Sequence, residues 1–443
     1  MRYYVVLRAF DLPNSSVRWA IDPQPTDGKI LLINGSKLFR EDTPWSHTFT
    51  EVGDLVTGAP GMLRISPSGS KAVAVALDGG GMWVFNPASG AITRTISQSG
   101  YFFYDAEWID DNKVAATVGV TGEGPVVRLY DLAASQEKNL VRNIGAASGG
   151  VTIDSVGRLY TGNGYSSDGG DETGLIKAYE RAAWEAAWNT NSPIDFEAAG
   201  LPVVNLLSGA YLGFDRYDNL YVGGGDVFGS APDSNYAAVV YRAALDAVFA
   251  GGGMTTEKQP LDPDPQQNMA WSPNANRLTG ELVLTAYESP KCYSCLLADD
   301  TLLASGEREV LFLTNLHLGD TPDAFPGTAY VGMSIGLTVP LPALDTFDGD
   351  FFVRINAREV ENWGGTIGHK VTFGGIELVR FADPANAAGP NDRYSARVPR
   401  ATYEAILAAG STATLRVDVH LIRGGGSDDF ILVTYGYRVT PRC

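Results

Sequence analysis

The stretches VTIDSVGRLYTGNG (residues 151–164) and LGFDRYDNLYVGGG (residues 212–225) decide the fold of this chain. They align with an offset of 61 and no gap, and the match continues to residues 188 and 249. Asp154 falls on Asp215, Leu159 and Tyr160 on Leu220 and Tyr221, and Gly162 on Gly223. Further on, residues 181–186 fall on 242–247. Self-similarity at a few tens of residues marks a chain that stacks one supersecondary unit. Each copy reads as a short apolar strand, an Asp-containing turn, a second strand, a Gly-rich polar loop, a third strand and a short helix. Apolar runs bounded by Gly and Asp are the strand–turn–strand signal.

The same skeleton recurs outward from these two copies. Residues 17–22 and 29–33 flank a turn at Thr26-Asp27-Gly28. Residues 62–70, 71–76 and 82–90 repeat it, as do 105–112, 113–118 and 126–132, and then 269–274 and 280–285. That makes six units, each of about 48 residues, between about 15 and 300. A sheet so small cannot bury both faces alone, and radial packing of such sheets buries them. The carrying segments are WAIDPQPTDGKILLI, LRISPSGSKAVAVALDGGGMWVFNPASG and the two copies quoted above. In them the chain resembles the β-propeller families with NHL- or WD-like blades. The resemblance implies an all-β fold with a propeller of about six blades over residues 1–304. The Gly-His…Trp-Asp signature of strict WD40 repeats is absent. By position, the strand at residues 3–9 is expected to complete the last blade.

After residue 305 the repeat stops and longer strands begin, near 309–316, 329–339, 350–357, 369–373, 376–381, 413–421 and 429–435. One helix is predicted at residues 399–409. That many strands in the remaining length reads as a β-sandwich of jelly-roll type over residues 305–443. The segments HKVTFGGIELVRFADP and LRVDVHLIRGGGSDDFILVTYGYRV resemble accessory sandwich modules. That resemblance implies carbohydrate binding or attachment.

Composition narrows the function classes. Of 443 residues, 44% are hydrophobic and 10% aromatic, enough for a packed core, and 51 glycines suit a turn-rich chain. The net charge of −18 repels phosphate backbones and anionic lipid, which argues against nucleic acid and membrane partners. No apolar run approaches a membrane span, so no membrane insertion is expected. Residues 1–8 read as a strand rather than a secretory apolar segment. The expectation is either a leader outside this numbering or another route to the outside.

The motifs are few. Cys292-Tyr-Ser-Cys295 lacks the thioredoxin context and has no second CxxC to complete a zinc site, so a loop disulfide is the preferred reading. Cys443 is left over. Carboxylates gather at Asp168, Asp171 and Glu172, at Asp345, Asp348 and Asp350, and at Asp428 and Asp429. Tight Gly-permitted turns of this kind can hold calcium, although none has EF-hand spacing. Asp154 and Asp215 read as turn formers. Trp184 and Trp188 share a helix face, and their counterparts Leu245 and Phe249 point to packing. Trp363, Tyr165 and Phe228 are the ligand-binding candidates, because aromatic rings stack on sugar faces. No Walker or His-Glu-x-x-His pattern is present.

The function read from these features is non-catalytic: surface recognition or structural display, on a cell or in a virion, with a protein or glycan partner. Two rivals stand beside it, a glycoside hydrolase or lyase on the same scaffold and an intracellular interaction scaffold.

Overall fold

The computed structural model describes residues 2–13, 19–44, 46–55, 60–76, 81–97, 100–120, 124–145, 148–163, 174–206, 209–223, 237–261, 270–277, 281–286, 291–302, 306–358, 369–380, 392–419 and 429–442. The chain is all-β and divides into two compact units. One comprises Ala9–Arg277 and Leu282–Ser294; the other comprises Met1–Arg8, Leu278–Glu281 and Cys295–Cys443. The last point of division, 294/295, falls inside the single strand Lys291–Leu302. An unbroken strand has no linker composition to betray it.

In the larger unit, small sheets follow one another in chain order, antiparallel between sequence neighbours except where the short strand Ile194–Asp195 joins a sheet edge in parallel. Sheet I holds Trp19–Pro23, Ile30–Asn34, Lys37–Glu41 and Phe49–Asp54. Sheet II holds Pro60–Ile65, Ala72–Ala76, Met82–Phe85 and Ile92–Ile96. Sheet III holds Tyr101–Asp110, Lys113–Val120, Gly124–Asp131 and Gln136–Arg142, with Ile194–Asp195 added at its edge. Sheet IV holds Ser148–Ile153, Leu159–Asn163, Gly174–Tyr179 and Leu201–Leu206; sheet V holds Tyr211–Phe214, Leu220–Gly223, Ala237–Val240 and Gln259–Leu261. A sixth group begins with Ala270–Ala275, Glu281–Ala286 and Lys291–Leu302, and the N-terminal strand Arg2–Asp11 pairs with the last of these.

Burial explains the composition of each strand. The second strands of sheets I and II, ILLIN and AVAVA, are buried at every position and are apolar almost throughout. The outer strands FTEVGD and ITRTI have no fully buried residue and carry charge or threonine, which blunts an exposed sheet edge. The first strands pack against one another in order. Trp19–Pro23 lies against Pro60–Ile65, which lies against Tyr101–Asp110, and so on through Ser148–Ile153, Tyr211–Phe214 and Ala270–Ala275. Ala270–Ala275 also lies against Trp19–Pro23.

The repeated turn has one chemistry in both copies. Asp154 Oδ1 accepts from the backbone N–H groups of Val156 and Arg158, at 3.1 and 2.8 Å, and Oδ2 accepts the Tyr160 hydroxyl at 3.1 Å. Asp215 does the same with Tyr217, Asn219 and the Tyr221 hydroxyl, at 2.8, 2.9 and 3.0 Å. The shared Asp and Tyr are therefore one device that closes the turn and satisfies a buried phenol. Asp215→Ala is expected to cost about 2–4 kcal/mol, because it orphans buried donors. Urea melts are expected to give a lower midpoint at unchanged slope.

Helix α1 (Arg181–Thr190) packs Trp184 and Trp188 into one apolar cluster with Leu159 and Phe196, and Trp184 Nε1 donates to the Gly157 carbonyl at 2.9 Å. Helix α2 (Arg242–Ala247) buries Leu245 in the corresponding place. Neither helix ends its unit. A fourth strand follows each, Leu201–Leu206 and Gln259–Leu261, which the sequence reading did not separate from the segment after the helix.

The smaller unit contains two antiparallel arrangements. Lys291–Leu302, Arg308–Leu318, Phe430–Pro441, Phe347–Arg358 and Asp392–Val398 pair in that order. Ser334–Pro340, Thr412–Asp418, Lys370–Phe373 and Ile376–Arg380 form the second sheet. Phe351 is the hub of an aromatic core, stacked on Phe373, Tyr437 and Tyr403 with centroids 5.6, 5.3 and 4.6 Å away. Tyr403 comes from helix α3 (Arg400–Ala409), which matches the helix predicted at 399–409. Tyr435, fully buried, donates to the Thr338 carbonyl of the other sheet at 3.2 Å.

Candidate functional site

The site is built from the ends of the first strands. The next-to-last residue of five of them is Asp22, Arg64, Thr152, Gly213 or Asn274, polar or bare where neighbouring positions are mostly apolar. Tyr101–Asp110 contributes Asp105 and Glu107. These ends frame a pocket of about 130 Å³, open to solvent, with Asp22, Arg64, Glu107, Ile153, Phe214 and Asn274 among its lining residues.

Arg64 is the centre of the arrangement. Its guanidinium donates to Asn274 Oδ1 at 2.9 Å and to the carbonyls of Leu212 and Leu63 at 3.0 and 3.2 Å. It stands 3.8 Å from Asp105 and 4.0 Å from Glu107, with only 7% of its side chain exposed. One arginine from sheet II thus bonds to strands of sheet V and the sixth group and faces two acids of sheet III. Burial opposes its charge, but Asp105, Asp22 and Glu107 together hold it above its usual value.

Each acid also has a structural partner in the next sheet. Asp22 Oδ2 accepts the Ile65 N–H at 2.8 Å, Asp105 Oδ2 accepts the Val151 N–H at 2.9 Å, and Glu107 Oε2 accepts the Thr152 hydroxyl at 3.1 Å. Burial pushes both Asp22 and Asp105 up to about 7, against the pull of Arg64. The sign of the linkage follows. A carboxyl raised in the folded state holds a proton there that the unfolded chain has released. Its stabilising effect is present below the ordinary value of 3.8 and is lost as pH rises towards 7. The expected result for Asp105→Asn is a flatter dependence of thermal midpoint on pH between 5 and 8 than in the parent protein. An asparagine amide cannot accept both of the bonds Asp105 makes, so the variant is less stable overall and the slope is the readout. An unchanged slope would show that Asp105 does not titrate there. Asp22 has the same sign and preserves part of the slope.

The residues singled out from the sequence fall elsewhere. Trp363, Tyr165 and Phe228 lie outside the described residues, as do Asp168, Asp171, Glu172, Asp428 and Cys443. The structure does not gather Asp345, Asp348 and Asp350 into a calcium site. Asp348 pairs with Arg442 at 2.9 Å and Asp350 with Arg397. Among the described residues no group of three or more His, Cys, Asp and Glu side chains is placed to hold a metal. Asp429 is buried against His317, 3.2 Å from its Nε2, with the rings of Phe325 and Tyr330 on the imidazole.

The expected Cys292–Cys295 disulfide is also corrected: both residues are buried thiols on one strand. Three steps along a strand separate Cα atoms by about 10 Å and turn the side chains to opposite faces, whereas a disulfide needs about 4.4–6.8 Å. Cys292 packs as a small apolar residue among Phe10, Ile21 and Val283. Burial pushes the Cys295 thiol up, away from reactivity. The pair therefore says nothing about redox compartment.

Sequence reasoning missed the pocket, although a signal was present. WAIDP, GMLRI and VTI each carry one polar residue near the end of an apolar strand, and DAEWI carries two. Aligning the six strand ends would have collected them.

No family model matches the chain, and no curated protein matches it. Among solved structures, that of U3-55K is similar at 12% identity, over 68% of this chain and 81% of that chain, with a TM-score of 0.41. A likeness that loose bears on neither fold nor function. Among the described residues, no helix is long and apolar enough to cross a membrane.

Proposed function

We propose that the larger unit is a six-bladed β-propeller, that the smaller one is a β-sandwich, and that the protein serves non-catalytic recognition or display on the surface of a cell or a virus particle. The propeller reading rests on the order of first-strand contacts, which runs from sheet I through the sixth group and back to sheet I. The recognition reading rests on one observation. The pocket where those strands end is lined by acids already committed to fixed donors in neighbouring sheets, so it offers a rigid, pre-formed polar surface. Pre-formed groups favour binding, because little ordering is left to be done when a ligand arrives.

A glycan array and a panel of candidate surface proteins, each probed with and without EDTA, test this reading. Retention of a partner in either condition is the expected result. Silence on both panels would sink it.

A second reading has its own observation: Asp22, which lines the pocket, is held near 7, where a general acid works. Turnover of aryl glycosides or polysaccharide by the parent protein, abolished by Asp22→Asn, would replace recognition with hydrolysis or lysis.

A further inference from the structure

We propose that the pocket at the ends of the first strands takes a single neutral sugar unit, held without a metal ion. This rests on the recognition reading and names the ligand of that same site.

Asp22 and Glu107 line the pocket opposite Arg64 and Arg277, and above the Asp22 value of about 7 the two signs balance. A lining that balances in this way favours neither an anion nor a cation by Coulomb attraction. It does present acceptors and donors side by side. A hydroxyl both donates and accepts, so neighbouring hydroxyls on a ring can satisfy a carboxylate and a guanidinium together. An ion can satisfy only one of them and leaves the other desolvated, which costs free energy.

The acceptors are fixed in place. Glu107 takes the Trp108 N–H at 2.9 Å and the Thr152 hydroxyl at 3.1 Å, and each of its oxygens keeps further acceptor capacity. Arg277 is exposed and anchored through Nε to the Phe214 carbonyl at 3.2 Å. Between these groups the walls are apolar and stiff, with Pro67, Pro273 and Phe214 among them. Such walls suit the C–H faces of a sugar ring. The pocket is small: about 130 Å³ corresponds to roughly four waters, so it takes part of one sugar ring and leaves the rest in the open mouth. The net charge of −18 further disfavours acidic sugars.

The test uses the full chain in EDTA. Saturation-transfer NMR is recorded against glucose, galactose, mannose, fucose and N-acetylglucosamine, with glucuronic acid and glucosamine as charged counterparts. The expected result is a response to at least one neutral sugar, with Kd on the order of 1 mM. It is expected to weaken at least tenfold in Arg277→Ala and in Glu107→Gln, and to be unchanged by added calcium. Arg277 is exposed, so its variant folds even if Glu107→Gln does not, and thermal melts check both. The inference is overturned by silence from every neutral sugar, by a preference for either charged one, by a need for calcium, or by a response that Arg277→Ala leaves intact. If the arrays show a partner while the monosaccharides are silent, the pocket assignment fails and recognition stands. If both are silent, both fail.

Discussion

Arg64→Met is expected to destabilise the larger unit by about 3–5 kcal/mol at pH 8, roughly 10 °C in thermal midpoint. The side chain is buried, and its removal strands Asp105, which has no exposed surface, leaves Glu107 without its cation, and leaves Asp22 with only the weaker pull of Arg277. The loss is expected to shrink at pH 5. Without Arg64 the folded-state values of Asp22 and Asp105 rise further above about 7, so at pH 5 both acids are protonated and the buried charge disappears. Stability held by a raised carboxyl is present at low pH and falls as pH climbs through the folded value. Urea melts of parent and variant at the two pH values measure this. Equal losses at both would mean that Arg64 contributes by packing and by its bonds to Asn274 and Leu212 rather than by charge. Arg64→Lys keeps the charge but not the fork, and is expected to fall between parent and methionine variant.

Gly149→Ala is the second large effect. A Cβ there would stand 2.0 Å from the Gly162 carbonyl oxygen and 2.6 Å from that of Gly209. Neither atom can yield. Gly209 N–H donates to the Asn163 carbonyl at 2.9 Å, and its own carbonyl accepts the Gly150 N–H at 2.5 Å. Three strand ends meet here through bare backbone, so a methyl group must push sheet IV and the entry to sheet V apart. The expected cost is about 3 kcal/mol or more, with faster amide exchange at residues 149–151 and 209–212. Gly35→Ala is the control. Gly35 has φ +61° with nothing within 4 Å of the added atom, so only backbone strain of about 1–2 kcal/mol applies. Equal losses in the two variants would mean that the close approach at Gly149 is absent.

The repeat made the turns legible. Asp154 and Asp215 accept the backbone donors that an Asx-type turn supplies, and both partners lie within six residues in sequence. Trp184 and Trp188 were legible for the same reason, since helical spacing and the matched Leu245 settle which face packs. Asp22 was harder to read. Ile21-Asp22 looks like Ile153-Asp154, yet the two aspartates do different work. In sheet I the turn closes two residues later, where Gln24 N–H meets the Lys29 carbonyl as Asp154 N–H meets that of Arg158. Asp22 therefore stands level with Thr152, inside the strand, and accepts from Ile65 in sheet II. The cysteines misled through spacing, because a CxxC read as a loop lies on a strand.

Short-range chemistry set the unit: which runs become strands, which aspartates close turns, and that about six such units follow one another. Those features depend on neighbours a few residues apart, where turn chemistry and alternation act. Tertiary structure alone decided that Asp22, Arg64, Asp105 and Glu107 become one buried cluster around a pocket. Arg64 and Asn274 are 210 residues apart, and only the packing of first strand on first strand brings them to 2.9 Å. The physical reason is that desolvation and charge pairing depend on what surrounds a side chain in space, and for these residues every decisive neighbour comes from another sheet.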